Sequence, residues 1–487
     1  MNNRSAKISA LPHVFIFPLP LQGPVNCMLK LAQLLSQQDI RVTFLNTQHI
    51  HQRLLNCTDH TNHFKRYANL RFETLPDGLP EENPRTGDQI VNLLASVEIV
   101  AAPIFRQMVT AGDYGPESEA PVTCIIADGI FTFAHGVAAE IGVPLLYFDT
   151  ISPCGLWSYI CLPKLIEAGE LPFRDDNLDE MIINTPGMEG ILRRRDLPSF
   201  CRAKDLDDPV LKVILKEDEH IPLAQGLIFN TFQELEGPIL SQMSNICPNI
   251  YAIGPLTVIE NARFEVETTM SSTSIWKEDM SCISWLDVQP ARSVVYVSIG
   301  SLVIVTKEDF LELWHGLVNS GSRFLWVQRQ GSVIGGLKGL ETPVELAQWT
   351  KERGYIVSWA PQQQVLAHPA VGAFFTHSGW NSTLESIVAG KPMICWPYGV
   401  DQQVNSRYVE QVWKLGLDMK DMCDRVVIER MIKEVMGSRK DEFLERAGRL
   451  AKLAKASVEE GGSSFRDLDR LVDDIKSMRI QAASGQN

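Results

Sequence analysis

The chain has 487 residues, of which 45% are hydrophobic and 21% charged, and its formal net charge is −14. These values are typical of a soluble globular protein with two or three domains. An acidic chain repels polyphosphates and anionic lipids, so we expect neither nucleic-acid binding nor attachment to a membrane. No apolar run reaches the roughly 18 residues of a membrane span. The absence of a secretory signal and the scattered cysteines favour a reducing, cytoplasmic compartment.

The first half of the chain alternates strand-like runs with helical patterns. An apolar run at residues 14–17 indicates a buried strand, and apolar residues at helical spacing follow at 22–35. Pro24 suits the first turn of that helix, because its missing N–H would have no partner there. Further strands are predicted at 41–45, 123–126, 145–148 and 226–229, a helix at 133–141 and a long surface loop at 76–88. The alternation predicts a parallel α/β sheet that helices cover on both faces.

The second half repeats this scheme. Strands are predicted at residues 294–299, 324–327, 355–358, 373–376 and 393–396, and helices at 306–319 and 381–389. A polar, Ser/Thr-rich segment without period, residues 258–282, separates the halves and is typical of an interdomain linker. Residues 441–478 are predicted to be helical, and the tail at 481–487 to fray. We expect two similar α/β domains that face each other across a cleft.

A helix start in the second half is a candidate anion site. The strand predicted at 373–376 ends at His377, and after a glycine the next helix opens with Asn381 and Ser382. The free N–H groups of a helix start and the positive end of its dipole favour a phosphate, and His377 can add a donor. Glu385 lies one turn beyond Asn381, where its carboxylate can accept hydrogen bonds from two ribose hydroxyls.

Residues after two other predicted strands complete this group. Trp359 follows the strand at 355–358 and offers a flat face for stacking a base. Asp401 and Gln402 follow the strand at 393–396, where they can hold a polyol. Each residue alone is equally well explained by packing or solvation, but so many polar residues beside strand ends are hard to explain as core. A base, a ribose, a diphosphate and a polyol together describe a nucleotide sugar.

Segment 359–402 resembles the signature box of the plant-type family 1 UDP-glycosyltransferases. The match includes the opening WAPQ, His368, the central HSGWNSTLES and the closing DQ. The likeness extends over nearly the whole chain through HVFIFPLPLQG, GLIFNTFQELE and SVVYVSIGS. FPLPLQGPVNCMLKLAQLL and RVTFLNTQHIHQRLL are similar to a branch that glucosylates iridoids and related monoterpenoids. The resemblance implies the GT-B fold, which is two Rossmann-like, doubly wound α/β domains facing across a cleft.

The resemblance also implies how the chain is divided. An N-terminal, acceptor-binding domain is expected at residues 1–250 and a linker at 251–282. The C-terminal domain at 283–460 is expected to bind the UDP-sugar, and a C-terminal helix and tail to occupy 461–487. The implied partners are a UDP-sugar and a small, apolar aglycone, and we expect a monomer.

Individual residues receive roles from the same resemblance. The residues implied to bind the donor are Trp359, Ala360, Gln362 and Glu385 for the uridine, Ser301, His377, Asn381 and Ser382 for the diphosphate, and Thr150, Trp380, Asp401 and Gln402 for the sugar. The glutamine at the closing position indicates UDP-glucose as co-substrate, and no cofactor is implied. No metal is implied either, because Asp-x-Asp occurs at 205–207 and 467–469, in charged, surface-like contexts. The helix start and His377 would neutralise the leaving UDP.

Pro24 departs from the family pattern. The resemblance implies a histidine at this position, which acts as general base for the acceptor hydroxyl and is oriented by a carboxylate. The carboxylate is retained as Asp128, after the strand at 123–126, and no side chain of the turn at 19–26 titrates. The donor site is therefore complete, while the expected base is absent.

Three hypotheses follow from this departure. In the first, the acceptor hydroxyl is itself acidic, as in a hemiacetal, enol, phenol or carboxylic acid. In the second, the base is either Asp128 or Asp149, which follows the strand at 145–148 at the same crevice. In the third, the fold binds a UDP-sugar without transfer or catalyses another reaction.

The acceptor pocket is expected to be formed by loops of the first domain, around the apolar or aromatic residues Leu19, Phe131, Leu156 and Tyr159.

Overall fold

A computed structural model describes residues 11–57, 64–83, 85–111, 121–259, 273–336 and 344–484. Its strands form two separate sheets. The first sheet contains β1 (His13–Phe17), β2 (Arg41–Thr47), β3 (Leu70–Leu75), β4 (Cys124–Asp128), β5 (Leu145–Asp149), β6 (Gly226–Phe229) and β7 (Ile250–Ala252). The second contains β8 (Val294–Ser298), β9 (Arg323–Val327), β10 (Gly354–Val357), β11 (Val371–Thr376), β12 (Met393–Cys395) and β13 (Gly416–Asp418).

Helices connect these strands in both domains. Those of the first half are α1 (Gln22–Ser36), α2 (Gln48–Cys57), α3 (Ile90–Ser96), α4 (Ala102–Ala111), α5 (Phe133–Ile141), α6 (Pro153–Ile160), α7 (Leu162–Glu167), α8 (Pro209–His220) and α9 (Gln233–Met243). Those of the second half are α10 (Ser281–Asp287), α11 (Lys307–Asn319), α12 (Val344–Arg353), α13 (Gln362–Ala367), α14 (Trp380–Val388), α15 (Gln402–Arg407), α16 (Arg425–Lys433), α17 (Lys440–Val458) and α18 (Ser463–Ser484).

The two sheets have the same winding. The first has the order β3-β2-β1-β4-β5-β6-β7 and the second β10-β9-β8-β11-β12-β13, with parallel pairing throughout. In each sheet the chain starts at a central strand, proceeds strand by strand to one edge, and then crosses to the other side of the central strand. Ligands bind such sheets beyond the carboxyl ends of the strands where the order reverses, here between β1 and β4 and between β8 and β11. The predicted α/β class with two doubly wound domains is confirmed.

The strands predicted from the sequence are all present, and their ends differ from the prediction by at most two residues. Three strands escape the prediction, because β7 and β13 are short and only partly buried and β3 is an edge strand buried only at its two ends. The helix predicted at 441–478 is divided into α17 and α18. The break contains the pair Gly461-Gly462, whose low helix propensity ends the first helix.

One apolar cluster extends through both domains. It joins Phe15 and Phe17 of β1 to Phe374 of β11 and Trp380 of α14. A second cluster lies on the other face of the first sheet and a third within the second domain. The shared cluster packs the two domains against each other and holds their strand ends in fixed positions across the cleft.

The last helix returns to the first domain. Leu471 of α18 belongs to the apolar cluster that covers β1. The Tyr251 hydroxyl of β7 donates to Asp474 Oδ2 at 2.7 Å, and the Ala252 N–H donates to Asp467 Oδ2 at 3.0 Å. Asp467, part of the second Asp-x-Asp, therefore serves as a structural acceptor.

The predicted domain boundaries can be placed on these elements. The boundary at 250 coincides with the first residue of β7, and the tail expected at 461–487 is, in its described part, the helix α18. The linker predicted at 258–282 ends inside α10. Residues 260–272 of that linker and the end of the tail, 485–487, lie outside the described residues.

The loop predicted at the surface, residues 76–88, contains a buried ion pair. Arg85 Nη2 lies 3.0 Å from Asp77 Oδ1, and each side chain is 6% exposed. Arg85 also donates to the carbonyl oxygens of Pro80 and Leu79, at 2.6 and 3.1 Å. The prediction of a surface loop is wrong for these two charged side chains, because pairing and carbonyl acceptors offset their desolvation.

Among the described residues, one helical stretch is long and apolar enough to cross a membrane. It extends over Ile90–Thr110 and includes the π-helical turn Val97–Ala101. The sequence analysis missed this stretch, because Glu98 and Arg106 interrupt the apolar sequence and no uninterrupted apolar run is long enough for a membrane span. Phe105 packs in the core of the first domain, and a third of the apolar window is buried. A single helix of this kind is weak evidence for a span, since core helices have the same length and composition.

Candidate functional site

The carboxyl ends of the second sheet carry residues assigned to the donor. Ser301 lies in the turn after β8, and Trp359 and Ala360 follow β10. His377 follows β11, and Asp401 lies in the loop between β12 and α15. Because the strands are parallel, these positions meet at one edge of the sheet, as the sequence predicts.

Amide side chains hold Glu385 in place. Gln362 Nε2 donates to Glu385 Oε2 at 2.8 Å and to Ser382 Oγ at 2.9 Å, and Gln363 Nε2 donates to Glu385 Oε1 at 3.0 Å. The Tyr296 hydroxyl donates to Gln362 Oε1 at 3.2 Å. Burial raises the pKa of Glu385, and the hydrogen bonds from the two glutamines act in the opposite direction. The structure thus brings Gln362, Ser382 and Glu385 together and adds two partners that the sequence analysis missed.

The first turn of α14 lies at the domain interface. Gly379 is its N-cap residue, and within the described chain no side chain caps its N–H groups. Asn381 Nδ2 donates to the carbonyl oxygen of Gly23, in the first turn of α1, at 3.0 Å. Trp380 Nε1 donates to the carbonyl oxygen of Asn230 at 2.9 Å, so its ring forms a contact between domains. An uncapped helix start remains suited to a phosphate.

His377 is enclosed by two glycines. A Cβ on Gly300 would lie 2.4 Å from His377 Nε2, and one on Gly379 would lie 2.5 Å from it. Burial lowers the pKa of His377 to about 4, while a hydrogen bond with the backbone of Ser298 acts in the opposite direction. The imidazole is therefore neutral at pH 7. The neutral ring has a single N–H for hydrogen bonding and adds no positive charge.

Gly300→Ala is expected to weaken UDP binding about tenfold, since a methyl group there displaces His377. Gly300 has φ +79°, so the substitution also strains the backbone. Gly336→Ala is the matched control, because its φ is +66° and a Cβ there would meet no atom within 4 Å. Calorimetry with UDP on both variants separates strain from displacement. Equal loss of affinity in the two would contradict a role for the His377 position.

Asp401 is the N-cap residue of α15, and Gln402 is the first residue of that helix. Asp401 Oδ2 accepts a hydrogen bond from Asn405 Nδ2 at 2.7 Å, and burial raises the pKa of Asp401 to about 6. Gln402 Oε1 accepts hydrogen bonds from the N–H groups of Tyr398 and Gly399, at 2.9 and 3.1 Å. These bonds fix the loop at the edge of the sheet, where the two residues were assigned to the sugar.

Asn405 connects this loop to both domains and escaped the sequence analysis. Its amide donates to the carbonyl oxygen of Ser378 at 2.9 Å, and its Oδ1 accepts from Ser152 Oγ of the first domain at 2.6 Å. Asn405 is fully buried. The signal that could have revealed it is its spacing of four residues from Asp401 on a helix.

Two strained residues flank the site. Ser378 has φ +63°, directly after His377, and Val400 has φ +60°, directly before Asp401. Left-handed backbone is costly for a residue with a Cβ, and more so for a β-branched one. Such strain is typical of functional sites, where the surrounding structure enforces it.

Asp128, the last residue of β4, lies beside the turn that leads into α1. Its Oδ2 accepts a hydrogen bond from the Leu19 N–H at 3.5 Å and from Thr150 Oγ1 at 3.3 Å, and its Oδ1 accepts from the Ile130 N–H at 3.4 Å. Burial raises the pKa of Asp128 to about 7, although these hydrogen bonds lower it. Pro24, at the position that the family pattern assigns to histidine, is the third residue of α1, and the turn that Asp128 contacts leads into this helix.

Asp149 lies on the other face of the first sheet. The register pairs Asp128 with Phe148, so the next residue of β5 has its side chain on the opposite side. A Cβ on Gly129 would lie 2.1 Å from Asp149 Oδ1 and 3.1 Å from Glu217 Oε1, so the two carboxyl groups share one buried region. Burial, and then the charge of Asp128, raise the pKa of Asp149. The structure thus separates the two carboxylates proposed as bases.

The four residues predicted for the acceptor pocket belong to one cluster. Phe131, Leu156 and Tyr159 are buried in the cluster shared by the two domains, and Leu19 packs against it. The Phe131 ring lies 4.8 Å from that of Phe17. The Tyr159 hydroxyl is buried and, within the described part of the chain, has no hydrogen-bond partner.

No group of three or more His, Cys, Asp or Glu among the described residues is arranged to hold a metal ion. The Asp-x-Asp at 205–207 carries an exposed ion pair between Asp207 and Lys212. Metal independence stays a prediction.

A sequence model of the family described as UDP-glucoronosyl and UDP-glucosyl transferase matches residues 230–457. A Catharanthus roseus protein named 7-deoxyloganetic acid glucosyltransferase is 50% identical over 480 residues, which cover 98% of this chain and 100% of the relative. This chain belongs to the UDP-glycosyltransferase family. A Crocosmia x crocosmiiflora glycosyltransferase, named myricetin 3-O-rhamnoside 1,2-glucosyltransferase, is 42% identical over 98% of the chain and 99% of its own length.

Solved UDP-glycosyltransferase structures have the same fold. Os79 from O. sativa, in complex with UDP, superimposes with a TM-score of 0.78 at 27% identity and covers 95% of this chain and 100% of its own. An anthocyanidin 3-O-glucosyltransferase in complex with UDP gives 0.81 at 24% identity over 96% and 99%. The GT-B fold and the resemblance to the iridoid branch of the UDP-glycosyltransferases are thereby confirmed, and the chain is a glycosyltransferase. The alternative of a repurposed fold is not favoured by these relatives.

Proposed function

We propose that this glycosyltransferase transfers glucose from UDP-glucose, with inversion, to an acidic hydroxyl of a small iridoid aglycone. The observation that carries the proposal is 50% identity, over 100% of its length, to a relative named for 7-deoxyloganetic acid. The hydrogen-bonded set of Gln362, Ser382 and Glu385 supports a nucleotide donor. Gln402 supports glucose, because the closing glutamine of the signature box accompanies that sugar in the family.

In the proposed complex, the donor lies along the edge of the second sheet. Trp359 stacks on uracil, with Ala360 and Gln362 beside it, and Glu385 accepts from the ribose hydroxyls. The diphosphate is bound by Ser301, His377, Asn381, Ser382 and the N–H groups at the start of α14. The glucose is contacted by Thr150, Trp380, Asp401 and Gln402. Because His377 is neutral, the helix N-terminus supplies most of the favourable electrostatics for the leaving UDP.

Glu385→Ala is expected to weaken UDP binding by about 1–3 kcal/mol, because two ribose hydroxyls lose a carboxylate partner. Glu352→Ala is the matched control, since Glu352 also accepts a hydrogen bond from a glutamine, Gln348, but lies on the exposed face of α12. Calorimetry with UDP gives both values. Unchanged affinity in Glu385→Ala would remove the ribose role of this residue.

The acceptor is proposed to be acidic because the turn at residue 24 offers no base. General base catalysis is worth roughly 10²–10⁴ in rate, and a low acceptor pKa replaces part of it. Pro24→His is therefore expected to raise activity on simple alcohols more than on phenols or hemiacetals. Rates against acceptor pKa for the two proteins test this. An equal gain on all acceptors would contradict it.

The decisive experiment for the activity is mass spectrometry of the purified protein with UDP-glucose and aglycones of graded hydroxyl pKa. A glucoside of an iridoid hemiacetal is the expected product. UDP binding without any transfer would contradict the proposal. Because no metal is implied, we expect a chelator to leave the transferase activity unchanged. The cytoplasmic location and the monomeric state stay predictions.

A further inference from the structure

Trp276 lies between the two domains, in the segment 258–282 that is predicted to be an interdomain linker. Its indole stacks on that of Trp359, with ring centroids 5.4 Å apart and an angle of 24° between the planes. The Arg53 guanidinium of α2 lies 4.0 Å from the centroid of the Trp276 ring, and that of Arg329, after β9, lies at 5.6 Å. One indole thus contacts a cation from each domain and the aromatic ring assigned to uracil.

The backbone around Trp276 is attached to the first domain. Gln22, at the start of α1, accepts a hydrogen bond from the Ile275 N–H at 3.0 Å, and its Nε2 donates to Ser274 Oγ at 3.4 Å. Arg53 Nε donates to the Ile275 carbonyl oxygen at 3.2 Å, and the Ile275 side chain is buried in the cluster beneath the first sheet. Trp276 therefore keeps a fixed position relative to α1 and α2.

The same segment is attached to the backbone of Trp359. The Asp279 N–H donates to the Trp359 carbonyl oxygen at 2.9 Å. Residues 274–279 thus connect α1 and α2 to the end of β10 through four hydrogen bonds and one aromatic stack. Aromatic stacking is geometrically specific, so Trp276 restricts the orientation of the Trp359 ring.

We infer that Trp276 is a positioning residue of the donor site. It packs against one face of the Trp359 ring and leaves the other face oriented for the nucleotide base. The inference rests on the proposed function, because it takes Trp359 as the base-stacking residue. A preoriented ring loses less conformational freedom when the base binds, and that saving appears as affinity. Arg53, through its cation–π contact, makes the orientation depend on the first domain.

Trp276→Ala is expected to raise the Kd for UDP about 3- to 10-fold, which is the range for one aromatic pair. The KM for UDP-glucose should rise by a similar factor while kcat changes little, because the reacting atoms are not touched. Trp276→Phe should restore most of the affinity. Trp349→Ala is the matched control, since Trp349 lies on α12 with the Arg353 guanidinium 4.6 Å from its ring centroid and, among the described residues, forms no ring contact with Trp359. It should leave the Kd unchanged.

The direction of the change decides between two arrangements. Weaker UDP binding in Trp276→Ala, restored in Trp276→Phe, supports the inference that Trp276 packs against the face of Trp359 that the base does not use. Tighter binding would mean that Trp276 occupies the face that the base needs, and unchanged binding would mean that the stack has no role. Either result overturns the inference.

Two further measurements keep the test independent of folding and of the proposed function. Arg53→Gln should raise the Kd in the same direction but less, and if Trp276→Ala does not fold, an unchanged Kd in Arg53→Gln overturns the inference. Failure of the unaltered protein to bind UDP would instead contradict the proposed function, since that result does not involve Trp276.

Discussion

Asp128→Asn is expected to lower kcat/KM for simple alcohols by about 10²- to 10⁴-fold, the range for loss of a general base, and for acidic acceptors by less. The amide oxygen of asparagine can still accept the hydrogen bonds that Asp128 receives from Leu19 and Thr150, so the turn should be retained. What is lost is the ability to accept a proton from the acceptor hydroxyl. UDP binding should be unchanged, because Asp128 lies in the first domain.

The comparison variants make this expectation specific. Asp149→Asn tests the competing base, and a larger loss there would transfer the role to the opposite face of the sheet. Asp207→Asn removes an exposed carboxylate of the same domain and should leave the rate unchanged. Full activity of both Asp128→Asn and Asp149→Asn on simple alcohols would contradict two hypotheses. It would show that neither an acidic acceptor nor a carboxylate base replaces the missing histidine.

The pKa of Asp128 gives this prediction a pH signature. Burial raises that pKa to about 7, and a base acts only when it is deprotonated. The reactive fraction therefore rises from about 10% at pH 6 to about 90% at pH 8, and kcat/KM should rise with it. The inflection should be absent from Asp128→Asn. The same inflection in the variant would assign it to another group.

The sequence predicts most of this fold because long apolar runs dominate its strands. The central strands β1, β4, β8 and β11 are buried on both faces, so periodicity and length are enough to find them. The strand β13 has three residues, of which only the first is buried, and this is too little pattern for such a search. The return of α18 to the first domain depends on side chains such as Tyr251 and Asp474, which are 223 residues apart and give no local signal.

The grouping of the residues assigned to the donor is predictable for a similar reason, since most of them follow predicted strands within one contiguous segment. The residues that escaped prediction act across the domain interface. Asn405 contacts Asp401 and Trp276 contacts Trp359, and both also contact the first domain, through Ser152 and Arg53. Only the tertiary structure brings these residues together. The neutral state of His377 also follows from burial and not from its place in the motif.

The domain interface is held by a buried carboxylate. Asp196, in the short helical turn Arg194–Asp196, is fully buried and lies 2.9 Å from Lys420 Nζ and 3.3 Å from Arg407 Nε, both of the second domain. Burial alone would raise the pKa of Asp196, but Lys420 and Arg193 lower it, and the net shift is downward. Arg407 ends α15, the helix that begins at Gln402, so this carboxylate also supports the loop assigned to the sugar.

Asp196→Ala is expected to lower the free energy of unfolding by about 3–5 kcal/mol, the cost of leaving buried cations without their partner. Asp207→Ala, which removes an exposed carboxylate paired with Lys212, should leave it nearly unchanged. Urea titrations of the two variants at neutral pH give both values. Because the folded pKa of Asp196 lies below its ordinary value, its contribution is complete above that value and is lost as the pH falls through the folded pKa. The two variants should therefore converge in stability in strong acid. A persistent gap at low pH would mean that lost packing, and not the paired charge, destabilises Asp196→Ala.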